Sequence, residues 1–572
     1  MKRFLLLVIV AAVAAFGIWL ALRHSRGGES AVTELLPKDT ALLVHLPDLK
    51  QTRDQWHQSD VYQIWLEPAV QQFMQKPLTK LPPTLATTQP LRDFMQLEPK
   101  DAFVAVTAMA GNNPVFEAGF RFKGSHDDAE KVIGRWRAQL LEKAPATKRE
   151  TADYQGHAIE TFTADRASVS TVYDRDWFLA SNDGAGLRLL LDRIDGRLDD
   201  KTTTLKANET YAAAIAHMPG SYSALLYVQP KSFIDKLTPF VAMAGRDAVA
   251  DQMAALRRID SFCGAFAFDG GKMRDVSFVA MPQATAGGKL SRDSAGLGTN
   301  NTFLYSALLL GLANQQQLAQ GNPPAVAGPL AKLQQIVGAL AAQGITVEQW
   351  QSAFGDEIGL VGDWAENTRW PSLLLSVPVK DVAKAKDLVD SVTKLRPDQQ
   401  WTRQENDNVL TYSLQSIGGF VPVIPTIAVS DKLAIAGTDL ASVEGAMKRT
   451  ETKDTVLTKA ENYVSATRQL GEPTNAFVYV DTKMLFERLD VALRPLLLMG
   501  AAFVPALSDN ADFTKLPPAE VVAKHLSPIV MSQRYDRDGY VTESIGPITS
   551  TQAAIGLGAA AVAASSWWNM GR

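Results

Sequence analysis

Residues 205–237 read LKANETYAAAIAHMPGSYSALLYVQPKSFIDKL, and residues 457–489 read LTKAENYVSATRQLGEPTNAFVYVDTKMLFERL. Set one over the other at a spacing of 252, Tyr211 meets Tyr463, Tyr227 meets Tyr479, Lys231 meets Lys483 and Leu237 meets Leu489. Each stretch predicts a helix, a turn, a strand (SALLYV, NAFVYV) and a second helix. Self-similarity at a long spacing is the signature of a structural unit used more than once.

The match extends outward. Residues 91–106, LRDFMQLEPKDAFVAV, stand over 347–362, VEQWQSAFGDEIGLVG, at a spacing of 256. Both predict a helix, a turn carrying an acid (Asp101, Glu357) and a short apolar strand. At the same spacing Val172–Ala180 matches 428–434, each a strand, polar turn and strand, the pattern of a hairpin. Asp183 and Asp439 follow at positions that suit an N-cap of the next helix. A closing hairpin recurs at 267–273 and 534–540. Between the hairpins, Ala129, Val132, Ile133, Trp136, Leu140 and Leu141 fall on one helical face, as do Val382, Ala385, Leu388, Val389, Val392 and Leu395. That periodicity predicts helices packed by one face on a sheet. Val115–Phe122 and Ile427–Val429 are candidate sheet strands. Strands in hairpin runs with helices inserted predict an α+β fold with mainly antiparallel sheets.

The expected organisation is therefore a transmembrane signal anchor at 1–30, an α+β module at 33–283, a linker at 284–300 rich in Gly, Ser, Thr and Asn, a second copy of the module at 301–548, and an Ala/Gly-rich tail at 549–572. A chain of 572 residues has room for it, at roughly 150 residues per domain. Hydrophobic residues at 46% and charged residues at 21% suit sizeable cores. The net charge of −4 lacks the basic excess that phosphate neutralisation needs, so no nucleic-acid partner is expected. The single cysteine, Cys263, excludes an intrachain disulfide and cysteine-based metal centres.

Phe4–Leu22, FLLLVIVAAVAAFGIWLAL, holds no charge. As a helix it spans about 28 Å, close to the hydrocarbon thickness of a bilayer. Lys2 and Arg3 precede it, and Arg23, His24 and Arg26 follow. The run exceeds the apolar core of a cleaved signal, and Ala12-Val13-Ala14 lies inside it, which favours an uncleaved anchor. A cleaved signal on a soluble periplasmic protein is the alternative. The expected place is the cytoplasmic membrane, with a single N-terminal anchor and the body in the periplasm or otherwise outside that membrane. Residues 553–568, AAIGLGAAAVAASSWW, are a candidate second membrane helix, with Gly556, Ala560 and Ala564 on one face. An Ala/Gly-rich tail, packed on the protein or flexible, is the competing reading.

Leu36-Pro37-Lys38-Asp39-Thr40, followed by the strand Ala41–Leu46 and then Trp56, Ser59 and Val61, resembles a bacterial family of membrane-anchored extracytoplasmic proteins catalogued as a domain of unknown function. The resemblance implies a bacterial envelope location and an α+β body, and brings no catalytic residues. The second copy keeps only Asn301-Thr302 where the first has Asp39-Thr40.

The search for chemistry is mostly negative. His24, His45, His57, His126, His157, His217 and His525 form neither HxxxH nor HExxH. Gly287-Gly288-Lys289 lacks the strand and helix of a phosphate loop. Asp536-Arg537-Asp538-Gly539 resembles the start of a calcium loop without its later ligands, and reads as a hairpin turn. Ser391-Val392-Thr393-Lys394 with Ser508-Asp509-Asn510 matches two motifs of penicillin-binding enzymes, but no Lys-Thr-Gly follows and Ser391 ends its helix instead of opening it. Polar residues shared by the two copies, Asp183/Asp439, Tyr211/Tyr463, Tyr227/Tyr479, Lys231/Lys483 and Asp269/Asp536, fall at caps, turns and strand ends. No catalytic, cofactor-binding or metal residue is assigned, and no cofactor is expected. The expected function is a non-catalytic envelope protein that binds or scaffolds, with a protein or an apolar ligand such as lipid as partner. The alternative is an envelope hydrolase whose site is assembled from distant residues.

Overall fold

The computed structural model describes residues 31–79, 89–110, 113–144, 146–164, 167–233, 257–282, 289–310, 346–394, 399–406, 408–414, 423–452, 456–503, 505–554 and 556. The expected anchor at Phe4–Leu22, most of the 553–568 run and Gly287-Gly288 lie outside them. Among the described residues no helix is long and apolar enough to cross a membrane. The fold is mixed helix and antiparallel sheet. It divides into two compact units, one of residues 1–63, 77–283 and 538–541, the other of 64–76, 284–537 and 542–572.

The strands of the first unit are β1 (Leu42–Asp48), β2 (Lys100–Ala110), β3 (Asn113–Arg121), β4 (Lys148–Tyr154), β5 (His157–Ala164), β6 (Ala167–Asp174), β7 (Trp177–Ser181), β8 (Ala224–Val228), β9 (Ser261–Asp269) and β10 (Lys272–Ala280). They pair antiparallel in the order β4-β5-β6-β7-β3-β2-β1-β8-β9-β10. The Leu-Pro-x-Asp-Thr stretch shapes the entry to β1. Leu36 is fully buried, the Lys38 amide donates to Thr203 O at 2.8 Å, and Thr40 Oγ1 donates to Pro37 O at 2.6 Å.

Side chains alternate across the sheet, so each strand serves two cores. Phe120 joins Phe122 and the helix His126–Lys143, where Ala129, Val132 and Ile133 are buried and Trp136 packs beside them. A capping box of Ser125 and Asp128 opens that helix. Phe103 and Leu179 join the larger core with Leu187, Leu190 and Leu191 of the helix Gly184–Ile194. Burying each such leucine contributes about 1.5–3 kcal/mol. Asp183 is its N-cap as expected, accepting from the Gly186 amide at 2.8 Å.

The second unit contains β11 (Thr302–Leu309), β12 (Glu357–Asp363), β13 (Ser372–Pro378), β14 (Trp401–Asn406), β15 (Val409–Leu414), β16 (Thr426–Val429), β17 (Leu433–Gly437), β18 (Ala476–Val480), β19 (Ile529–Asp536) and the part of β20 (Gly539–Gly546) from 542 onward. They run β14-β15-β16-β17-β13-β12-β11-β18-β19-β20, and every pairing from β14 to β19 is antiparallel. Ala385, Leu388 and Val389 of the helix Val382–Lys394 are buried on one face, with Val392 beside them, as their spacing predicts. On the other face Val443, Ala446 and Met447 of the helix Leu440–Thr452 pack in a second core. Asp439 caps that helix, accepting from the Ser442 amide at 2.8 Å.

The residues read as a linker are structured from 289 onward. The Glu357 carboxylate accepts from the amides of Ser291 and Arg292 at 2.6 and 3.0 Å and from Ser291 Oγ at 3.0 Å. A 3-10 turn, Asp293–Leu297, follows, and Leu290, Ala295 and Leu297 enter the core. Composition reads as a linker, but a buried carboxylate that needs donors takes them from this backbone.

Candidate functional site

Each unit contains a cleft where a strand end, a strand start and a helix end converge. In the first unit Arg121 ends β3 and pairs in register with Trp177, which opens β7. Arg193 lies in the last turn of the helix Gly184–Ile194, where a cation suits the helix dipole. It donates from Nη1 to Leu35 O and from Nη2 to Thr203 O at 3.1 Å, tying the segment entering the fold to the helix. The cleft between them measures about 310 Å³ and is lined mainly by charge, with Arg121, Arg175, Asp176, Asp199, Asp200 and Lys201 around it.

In the second unit Pro378 ends β13 and pairs with Leu433, which opens β17. Arg449, in the helix Leu440–Thr452, donates from Nε to Leu297 O at 2.9 Å. The cleft here measures about 550 Å³. Leu297, Leu433 and Pro378 give it apolar walls, Ser291, Ser294 and Ser376 supply hydroxyls, Lys432 and Arg449 carry positive charge, and Asp293 and Glu357 carry negative charge. Ser294 Oγ and Tyr305 OH lie 3.1 Å apart beneath it.

Arg193 and Arg449 stand 256 residues apart, the spacing already seen in the flanking segments, yet they are absent from the shared polar residues picked out above. The signal was present, but a lone Arg at a helix end is common and its carbonyl partner is over 150 residues away in sequence.

The shared polar residues sort into architecture. Tyr211 meets Tyr227 edge-on at 5.0 Å, and Tyr463 meets Tyr479 at 5.1 Å. Tyr227 and Tyr479 are buried within the cores. Asp269 and Asp536 end hairpin strands, with Gly270, Gly271 and Arg537 at positive φ in the turns. Lys231 pairs with Asp260. Ser391 lies in the last turn of the helix Val382–Lys394, and its Oγ donates to Asp387 O at 2.8 Å. Ser508, Asp509 and Asn510 end a separate short helix, Pro505–Asn510. Cys263 is fully buried, and burial pushes its thiol up to about 12, far from a thiolate at neutral pH.

Two features of the first unit escaped the sequence reading. Glu117 on β3 is 1% exposed; its Oε1 accepts from Thr107 Oγ1 at 3.2 Å, while Oε2 has no partner among the described residues. Burial raises its carboxyl to about 7. His157 lies between two carboxylates, Asp195 at 2.7 Å from Nε2 and Asp174 at 3.8 Å from Nδ1. Of the other described histidines, His45 is buried against Tyr222, His57 lies against Tyr62, His126 against Tyr173 at 4.3 Å, His217 stacks on Phe278 at 4.1 Å, and His525 lies 2.7 Å from Glu67.

No family model matches the chain, and no curated protein matches it. Among solved structures it is similar to TP0453 in crystal forms I, III and IV, at 6%, 8% and 7% identity. Those matches cover 44%, 44% and 45% of this chain and 79%, 80% and 81% of the other, with TM-scores of 0.23, 0.22 and 0.21. Scores of that size carry no argument about fold or function.

Proposed function

We propose that this chain is a non-catalytic protein of the bacterial envelope, held at the cytoplasmic membrane by its N-terminal segment, that binds an apolar small molecule such as a lipid. Its body is one α+β module used twice, at 33–283 and 301–548. The two strand orders support the duplication, since they correspond strand for strand from β4/β14 to β10/β20. So do the two clefts, each built from the end of the strand that pairs with the hairpin, the start of that hairpin's second strand, and an Arg one helix later. The Leu-Pro-x-Asp-Thr opening supports membership of the family it resembles, and the uncharged run at 4–22 supports the anchor.

The observation that carries the ligand reading is the second cleft. Its volume of about 550 Å³ suits an acyl chain or similar ligand and falls in the range of roughly 300–1,000 Å³ common for small-molecule sites. Apolar walls with a few hydroxyls and charged groups, Lys432 and Arg449 beside Asp293 and Glu357, match the usual design of such sites. The first cleft is smaller, and Trp177 stands where the second unit has Leu433. Alkaline extraction of membranes tests the anchor: the full chain is expected to stay with the bilayer and a chain lacking 1–30 to be released. Release of both would contradict the anchor. Mass spectrometry of the intact chain, eluted gently from detergent, tests the ligand by the mass it retains.

A further inference from the structure

We propose that His157, Asp174 and Asp195 form a binding site for a divalent transition-metal ion of the zinc class. The three come from three element ends: His157 opens β5 after the Gln155-Gly156 turn, Asp174 closes β6, and Asp195 follows the helix Gly184–Ile194 as its C-cap. One ligand atom from each lies within 4.8 Å of the other two. Imidazole with two carboxylates is a donor set that suits zinc and its neighbours.

The second observation is the state of Asp174. It is 7% exposed, and its Oδ2 is buried without a hydrogen-bond partner among the described residues. A buried carboxylate left unpaired is costly. The 3.8 Å gap between Asp174 Oδ1 and His157 Nδ1 is too wide for a hydrogen bond. A cation there would satisfy Asp174 directly. Asp195 is oriented from outside by Arg175, at 3.3 Å from Oδ1, and by Arg197, which also contacts Asp192. These guanidiniums serve as outer partners that fix the carboxylate. Arg175 is largely exposed, so the site has a route to solvent.

The matching positions of the second unit are Val409, Ser430 and Glu451, and there Ser430 Oγ accepts from the amides of Lys432 and Leu433. The fold of the module therefore does not require the cluster, which is particular to the first unit.

The test is metal uptake by the full chain, untagged, in detergent, stripped with chelator and then titrated with Zn²⁺ alone. One equivalent per chain is expected, with cobalt giving the absorption of a tetrahedral site. Asp174→Asn, which preserves shape, is expected to weaken uptake by more than about 100-fold, beyond the 10–100-fold typical of an outer partner. His157→Gln is expected to do the same, with circular dichroism of both variants unchanged. No stoichiometric uptake by the unaltered chain, or equal uptake by chain and variants, would overturn the proposal and leave the contact of His157 with Asp195 as a structural one.

Discussion

Glu117→Gln is expected to abolish a large part of the pH dependence of the first unit's stability. In the folded chain the Glu117 carboxyl is raised from 4.5 to about 7, chiefly by burial. Below pH 4.5 the group is protonated folded or unfolded, and it contributes no pH dependence. Between 4.5 and about 7 the unfolded chain gives up the proton while the folded chain keeps it, so stability falls as pH rises. Above about 7 both states are ionised and the loss is constant. The full loss is about 3 kcal/mol. Glutamine keeps the contact with Thr107 and cannot ionise. The difference in stability between Glu117→Gln and the unaltered chain should therefore grow by about 3 kcal/mol from pH 4.5 to 8. Urea titrations at several pH values, read by hydrogen exchange of peptides from β3 and β7, would follow this unit alone. Parallel stability profiles for the two proteins would refute the reasoning, because they would mean that Glu117 ionises equally in both states. The matching residue of the second unit is the core Leu374, 1% exposed, so the fold itself does not ask for an acid there. Gly186 fits the same picture, since a Cβ at that position would lie 2.6 Å from Glu117 Oε1.

Removing the cap in Asp439→Ala should cost about 1 kcal/mol, seen as faster exchange in the first turn of the helix Leu440–Thr452. Gly437→Ala should cost about 1–3 kcal/mol by overpacking, since its Cβ would lie 2.4 Å from Val443 Cγ2; thermal denaturation reads this. Arg449→Met should loosen the tie to Leu297 by about 1–3 kcal/mol and raise hydrogen exchange at 291–297 while leaving β14–β16 unchanged. Cys263 should resist thiol reagents at pH 8 in the native chain and react only on unfolding, so that its labelling rate reports the opening of the first unit.

Periodicity and local chemistry carried much of the fold. The helices at 126–143 and 382–394 bury the faces that their 3.6-residue spacing marked. Asp183 and Asp439 cap where short polar residues before an apolar run should, and the tyrosine pairs became core contacts of nearly equal geometry. What stayed hidden was long-range. Glu357 looked like a turn acid, and nothing local tells that its carboxylate would capture the backbone of Ser291 and Arg292 some 65 residues earlier. Glu117 sits in an alternating strand where an acid reads as solvent-facing, and only the pairing of β3 with β7 turns it inward. His157, Asp174 and Asp195 share no motif because three element ends bring them together. The Arg at the helix end of each cleft was hidden too, since its partner is a main-chain carbonyl and leaves no trace in composition.

A ligand in the cleft of the second unit is the central claim to test. Native mass spectrometry of the full chain, taken from envelopes in mild detergent beside Leu433→Trp, tests it directly. Tryptophan at 433 copies the first unit's Trp177 and fills the wider cleft. An apolar molecule of defined mass is expected to be retained by the unaltered chain and lost from the variant. A bare protein mass for both, or the same retained mass in both, would contradict it.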